Sequence, residues 1–188
     1  MQEYFGVITI ILFITIVIVR SIDLRKQGIQ SMEFGKKDRK DFIIIPFALF
    51  YFYILTANLF SLPTIPNQLF FYNEIVSWIG VLFCFLALCF FILTMVSFKK
   101  SFRVGLVENT SQGLITNGTF TFSRNPIYVS FAIMLIGQFL IFPSWILFVY
   151  IILSCSTFHK QVLKEESFLK QIFGKEFTAY SKKVIRYF

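Results

Sequence analysis

From Ile75 to Phe98 the chain carries no charged side chain, and few environments accept a run of that length. A hydrocarbon layer about 30 Å thick is crossed by a helix of roughly 20 apolar residues, with about 17 as the lower bound. Four more apolar runs share this character: Tyr4–Val19, ended by Arg20; Phe42–Leu62, stopped by Pro63 and Pro66; and Ile127–Phe142 and Trp145–Phe158, turned at Pro143-Ser144. The first run lacks the basic flank and small-residue cleavage site of a signal peptide, so it reads as a retained helix. The last two form a hairpin whose arms are short for full spans, which suits thin or locally distorted bilayer. The expected fold is all-α, a polytopic membrane protein with about five transmembrane helices. Composition agrees: charged residues make up 15%, hydrophobic ones 56%, and mean hydropathy is +0.72. Soluble domains carry about 25% charged residues, so a soluble enzyme, a disordered chain, a coiled coil and a disulfide scaffold are excluded.

The cations are distributed in blocks. Segment 20–41 holds seven Lys and Arg, segment 99–126 holds four, and the tail from 159 holds seven, which accounts for all 18. In a five-helix topology these segments fall on one side. The positive-inside rule makes that side cytoplasmic, with the N-terminus outside and the C-terminus inside. The net charge of +8 therefore marks orientation and contact with membrane lipids, not a nucleic-acid partner. The organism is not readable from the sequence; a prokaryotic chain would sit in the cell membrane. From His159 to Phe188 the tail reads as a mixed helix, with Val162, Leu169, Ile172 and Phe173 near one face, suited to the headgroup level. Residues 1–98 are the expected N-terminal helices with a basic cytoplasmic loop at 20–41, and residues 99–188 the region that carries chemistry.

No phosphate-cradling glycine loop, no HExxH and no CxxC is present. Cys84, Cys89 and Cys155 lie inside apolar runs as small packing groups. His159 is the single histidine and cannot build a metal site alone, so no metal is expected. Two cytoplasmic tracts stand out. One runs from Gly113 through Leu114, Ile115, Gly118 and Phe120 to Arg124-Asn125-Pro126-Ile127-Tyr128. The other is Glu165-Glu166 followed by Phe173-Gly174, Phe177, Tyr180 and Arg186. Asn125-Pro126 resembles a helix start with Asn as N-cap and Pro in the first helical position. A helix N-terminus is a natural seat for a carboxylate or phosphate, and Arg124 would add a bidentate donor to it. Glu165 and Glu166 follow the fifth run and could fold back over that seat. An anion seat facing a carboxylate suits a zwitterionic nucleoside cofactor.

These tracts resemble the membrane methyltransferases related to isoprenylcysteine carboxyl methyltransferase and the phospholipid methyltransferases, from about Ser101 to Arg186. The resemblance implies S-adenosylmethionine bound on the cytoplasmic side without a Rossmann domain, and a lipophilic methyl acceptor entering laterally from lipid. By position it implies cofactor contacts from Gln112, Gly113, Leu114, Ile115, Gly118, Phe120, Asn125, Pro126, Ile127, Tyr128, Glu165 and Glu166. Arg124 and Arg186 are the candidate catalytic residues. Asn125 stands where the prenylcysteine type has His, and Phe120 where the family has Tyr. Where an Arg pairs with the substrate carboxylate, this chain has Gln161 beside His159 and Lys160, the candidate substrate contacts. Two other readings compete: an NADPH-dependent enzyme similar to the sterol reductases, and a non-enzymatic scaffold that keeps the fold.

Overall fold

The computed structural model describes residues 1–26, 44–57, 59–66, 68–98 and 113–187. They form five α-helices: α1 (Gln2–Lys26), α2 (Ile44–Thr56), α3 (Glu74–Phe98), α4 (Pro126–Ile141) and α5 (Trp145–Lys183), with a 3-10 turn at Gly118–Thr121. No named strand occurs among the described residues. α1, α3 and α5 are long and apolar enough to cross a membrane, whereas α2 and α4 are shorter apolar helices.

Two boundaries differ from those expected. α2 ends at Thr56, not near Leu62. The chain closes there on itself, with the Leu62 N–H donating to the Ala57 carbonyl at 2.8 Å and Ser61 in the left-handed region at φ 51°, as in a helix C-terminal turn. At about 1.5 Å per residue α2 measures about 20 Å, short of a full crossing. The second difference lies at His159. The short fifth run and the tail helix are one element, because Lys, Gln, Glu and Leu after Phe158 are good helix formers. The break comes only at Gly174, with φ 46° and ψ −109°.

Packing follows small residues. A Cβ on Gly80 would lie 2.6 Å from the Gly137 carbonyl oxygen, and one on Gly137 would lie 2.9 Å from the Cys84 nitrogen. α3 and α4 thus cross backbone against backbone, the close approach that small residues permit where lipid offers no hydrophobic drive to association. Phe13 of α1 stacks on Phe91 of α3 with ring centroids 4.4 Å apart, and Phe131 of α4 joins them. Buried Gln138 ties three helices: its Nε2 donates to the Gly6 carbonyl at 3.2 Å, and it accepts from the Tyr51 hydroxyl. Opposite the site, the Trp145 N–H donates to Gln68 at 3.0 Å and the Phe70 N–H to Pro143 at 2.8 Å. Ser144 caps α5 by accepting from Ile146 at 3.1 Å. Ile8, Ile11, Ile18, Leu82, Phe85 and Leu93 point outward, as a chain solvated by lipid requires.

The site lies at the other end of the bundle, where α3 finishes and α4 starts. There α5 runs past its apolar stretch, Trp145–Phe158. From Trp145 to Gly174 the helix measures about 44 Å, more than the hydrocarbon thickness, so the apolar layer cannot contain it.

Candidate active site

The 3-10 turn hangs from the end of α3. The Thr119 N–H donates to Ser97 Oγ at 3.2 Å. Gly118 sits at φ +62°, and a Cβ there would fall 2.2 Å from that same Oγ. Only glycine meets both conditions. Phe120, buried by the turn, packs edge-on against Phe98 at 4.8 Å. The Phe120 carbonyl accepts from the Tyr180 hydroxyl at 2.7 Å, so the far end of α5 is drawn onto the loop. Burial pushes that hydroxyl up to about 12, which keeps it protonated as a donor.

Asn125 and Pro126 do begin α4, with Pro126 fully buried at the first helical position. The expected capping role of Asn125 is corrected: its side chain makes no cap hydrogen bond. The amide instead donates to Glu166 Oε1 at 3.1 Å and to the Arg186 carbonyl at 3.2 Å. A buried carboxylate draws the best donor within reach. Glu166 is also held by both candidate arginines. Arg186 reaches its Oε2 through Nε at 3.1 Å and Nη2 at 2.9 Å, a two-pronged grip, and Glu166 holds the Arg186 guanidinium above its ordinary pKa. Arg124 Nε lies 3.4 Å from Oε1, an ion pair without hydrogen-bond geometry. Arg124 is therefore turned toward Glu166, and its Nη1 donates to the Ser181 carbonyl at 3.4 Å.

Glu165 faces elsewhere. Its Oε1 accepts from the Tyr128 hydroxyl at 2.7 Å and from Gln161 Nε2 at 3.0 Å, and no ion pair reaches it among the described residues. Burial raises its carboxyl above the usual range, and these two hydrogen bonds partly offset the rise. Tyr128 leans on Phe158 with centroids 5.6 Å apart, so an aromatic wall flanks this carboxylate.

Segment 184–187 straps the two groups together. The Arg124 N–H donates to the Ile185 carbonyl at 3.0 Å, Ser123 Oγ to the Arg186 carbonyl at 3.1 Å, and the Tyr187 hydroxyl is hydrogen-bonded to His159 Nδ1 at 2.8 Å. Sequence reasoning passed over Ser123, Ser97 and Tyr187. Ser123 carries a local signal, since its Oγ accepts from the Asn125 N–H at 3.2 Å, a short-range turn of the kind serine favours. Ser97 and Tyr187 meet partners far away in sequence, which no spacing discloses.

Of the expected contacts, Asn125, Tyr128, Glu165, Glu166, Gln161, Arg124 and Arg186 come together. His159 joins them only through Tyr187. Ile127 is half-buried against the Phe13–Phe91 cluster, Lys160 and Gly113 are exposed, and Leu114 and Ile115 are half-buried. Gln112 lies outside the described residues. No group of three or more His, Cys, Asp or Glu able to hold a metal occurs among the described residues.

A family model described as phospholipid methyltransferase matches residues 75–176, more than half of the chain. The chain belongs to that family. No curated protein matches it. Membership of the phospholipid methyltransferase family makes it a membrane methyltransferase in broad class. The matched stretch opens in α3, takes in the 3-10 turn and α4, and closes just past Gly174. Asn125, Tyr128, Glu165 and Glu166 fall inside it, whereas Arg186 and the strap lie beyond.

Proposed function

We propose that this chain transfers a methyl group from S-adenosylmethionine to a lipid-soluble acceptor at the cytoplasmic face. In this reading the N-terminus is outside, the C-terminus is inside, and residues 99–188 carry the reaction. One observation carries the proposal: two tracts about 40 residues apart are joined side chain to side chain, Asn125 to Glu166 at 3.1 Å and Tyr128 to Glu165 at 2.7 Å.

The donor set fits the group. A zwitterionic nucleoside needs a carboxylate for its ammonium or ribose hydroxyls, a cation for its carboxylate, and an apolar surface for its base. Of the two adjacent acids, Glu165 is the one free of ion pairs among the described residues. Arg186, with 37% of its side chain exposed, is the accessible guanidinium, and half-buried Leu114 and Ile115 offer apolar surface. When bound, the cofactor supplies an electrophilic methyl on a sulfonium. The protein's contribution is then position and dryness. Glu166 fixes the direction of Arg186, Tyr128 and Gln161 fix Glu165, and Phe158 keeps water from the lipid side. A carboxylate acceptor needs no base. An amine must arrive unprotonated, and a nearby base such as His159 or a glutamate would help.

Calorimetric titration of the detergent-purified protein with S-adenosylhomocysteine, alongside NADPH, tests the reading. Micromolar binding that weakens at least about tenfold in Glu165→Ala, a loss of roughly 1.4 kcal/mol, is the expected result. Binding of NADPH alone would replace the proposal with the reductase reading, and binding of neither by folded protein would leave the scaffold. The labelled product then separates acceptors, because a methyl ester releases methanol in alkali and an N-methyl group does not.

A further inference from the structure

Beyond Glu166 the outer side of α5 bends at Gly174, and beside the bend lies an open cleft of about 470 Å³ lined by Lys170, Gly174, Lys175, Thr178, Ala179 and Lys182. All three lysines are exposed. None is within ion-pair distance of a carboxylate among the described residues, and Glu176, the acid closest to them in sequence, does not line the cleft. Gly174 and Ala179 keep the floor free of bulk. The Thr178 hydroxyl donates to the Gly174 carbonyl at 2.9 Å, within the first turn after the bend. Three like charges gathered around one hollow repel one another, so the arrangement is relieved by an anion with several oxygens.

We propose that this cleft binds the phosphate of an anionic membrane lipid headgroup, at a place separate from the Asn125–Glu166 cluster. The fold points to lipid as the source of the phosphate. After the bend, α5 returns to the start of α4 through Tyr180 and Phe120. Tyr187 then meets His159, the first residue past the apolar stretch of α5. The cleft is thereby kept within a few turns of the membrane surface, where anionic headgroups are concentrated. Lysine suits this ligand, since its flexible stem follows a mobile phosphodiester without imposing the planar fork geometry of arginine.

Native mass spectrometry of the detergent-purified full chain tests the assignment, using dioleoyl phosphatidylglycerol, dioleoyl phosphatidylcholine and inorganic phosphate as probes. The expected preference for the anionic over the zwitterionic lipid is about tenfold, falling to about twofold or less in the triple variant Lys170→Gln, Lys175→Gln, Lys182→Gln. The double variant Lys164→Gln, Lys183→Gln keeps the preference. An unchanged triple variant, or an equal loss in the double variant, overturns the site, because the effect would then be one of general charge. Displacement of the lipid by inorganic phosphate at sub-millimolar concentration also overturns the lipid assignment, in favour of a soluble phosphoryl ligand. Retention of lipid against phosphate supports it.

Discussion

Glu165 and Glu166 are adjacent, and a helix turns adjacent residues about 100° apart, so the pair serves two surroundings. Glu166 sits between two guanidiniums and an amide, with 11% of its side chain exposed. Removing one member of a buried ion pair leaves uncompensated charge and costs about 3–5 kcal/mol. Glu166→Ala should therefore lower the thermal midpoint in detergent sharply, and Glu166→Gln, which keeps acceptors for Arg186, should lower it less. Glu165 differs in kind. Its pKa is raised in the folded state, so the folded protein holds its proton more tightly than the unfolded chain does. By linkage its stabilising contribution is full below the unfolded value of about 4.3 and is lost as pH rises through the raised folded value. A pH series of unfolding midpoints should thus decline across that window in the wild type and flatten in Glu165→Gln. Nucleoside binding, if it uses the carboxylate, should rise over the same window. Sequence analysis placed both acids over one seat, whereas the helical period turns them to different partners. What could not be read from sequence is that the Asn125 amide would turn to Glu166, 41 positions away, because residues 113–125 carry no periodic pattern to set a direction.

Among the elements, α3 and α4 depend most on a single contact. Gly137→Leu would drive a side chain into Cys84 and the Gly80 carbonyl, and overpacking of this kind costs about 1–3 kcal/mol. The expected result is a lowered midpoint that Gly113→Ala does not share, since a Cβ at Gly113 meets nothing within 4 Å. Gln138→Leu should cost less, about 1 kcal/mol, the scale of interhelical hydrogen bonds in membranes. All five helices were legible because each apolar run is uninterrupted by charge, even where it is short. Their ends were less so. Pro63 and Pro66 looked like the stop for α2, yet the closing turn at Ala57–Leu62 precedes them. At His159 the change in composition suggested a new element, whereas helix propensity simply carried α5 through it. The Gly80–Gly137 contact was hidden as well, since a lone glycine in an apolar run says nothing of what faces it.

For the whole molecule, α1 and α3 run in the same direction while α4 opposes them, as the Phe5–Trp78, Phe13–Phe91 and Gly80–Gly137 contacts require. The described cations at the end of α1, just before α4 and beyond the apolar stretch of α5 consequently gather at one end of the bundle. If that end is cytoplasmic, a cysteine replacing exposed Lys182 in a background without the three native cysteines should react with a membrane-impermeant maleimide only after the membrane is opened. One replacing Tyr72 should react from outside in intact cells. Labelling in the reverse pattern would invert the topology. The strap has a further consequence for assembly. Membrane helices enter the bilayer in order as they are made, but Arg124 must wait for Ile185 and Asn125 for Arg186. Until segment 184–187 is made, the polar groups at the start of α4 lack the partners that cover them. A chaperone or quality-control protease that senses unfinished membrane proteins would find its signal there, and would lose it when the strap closes.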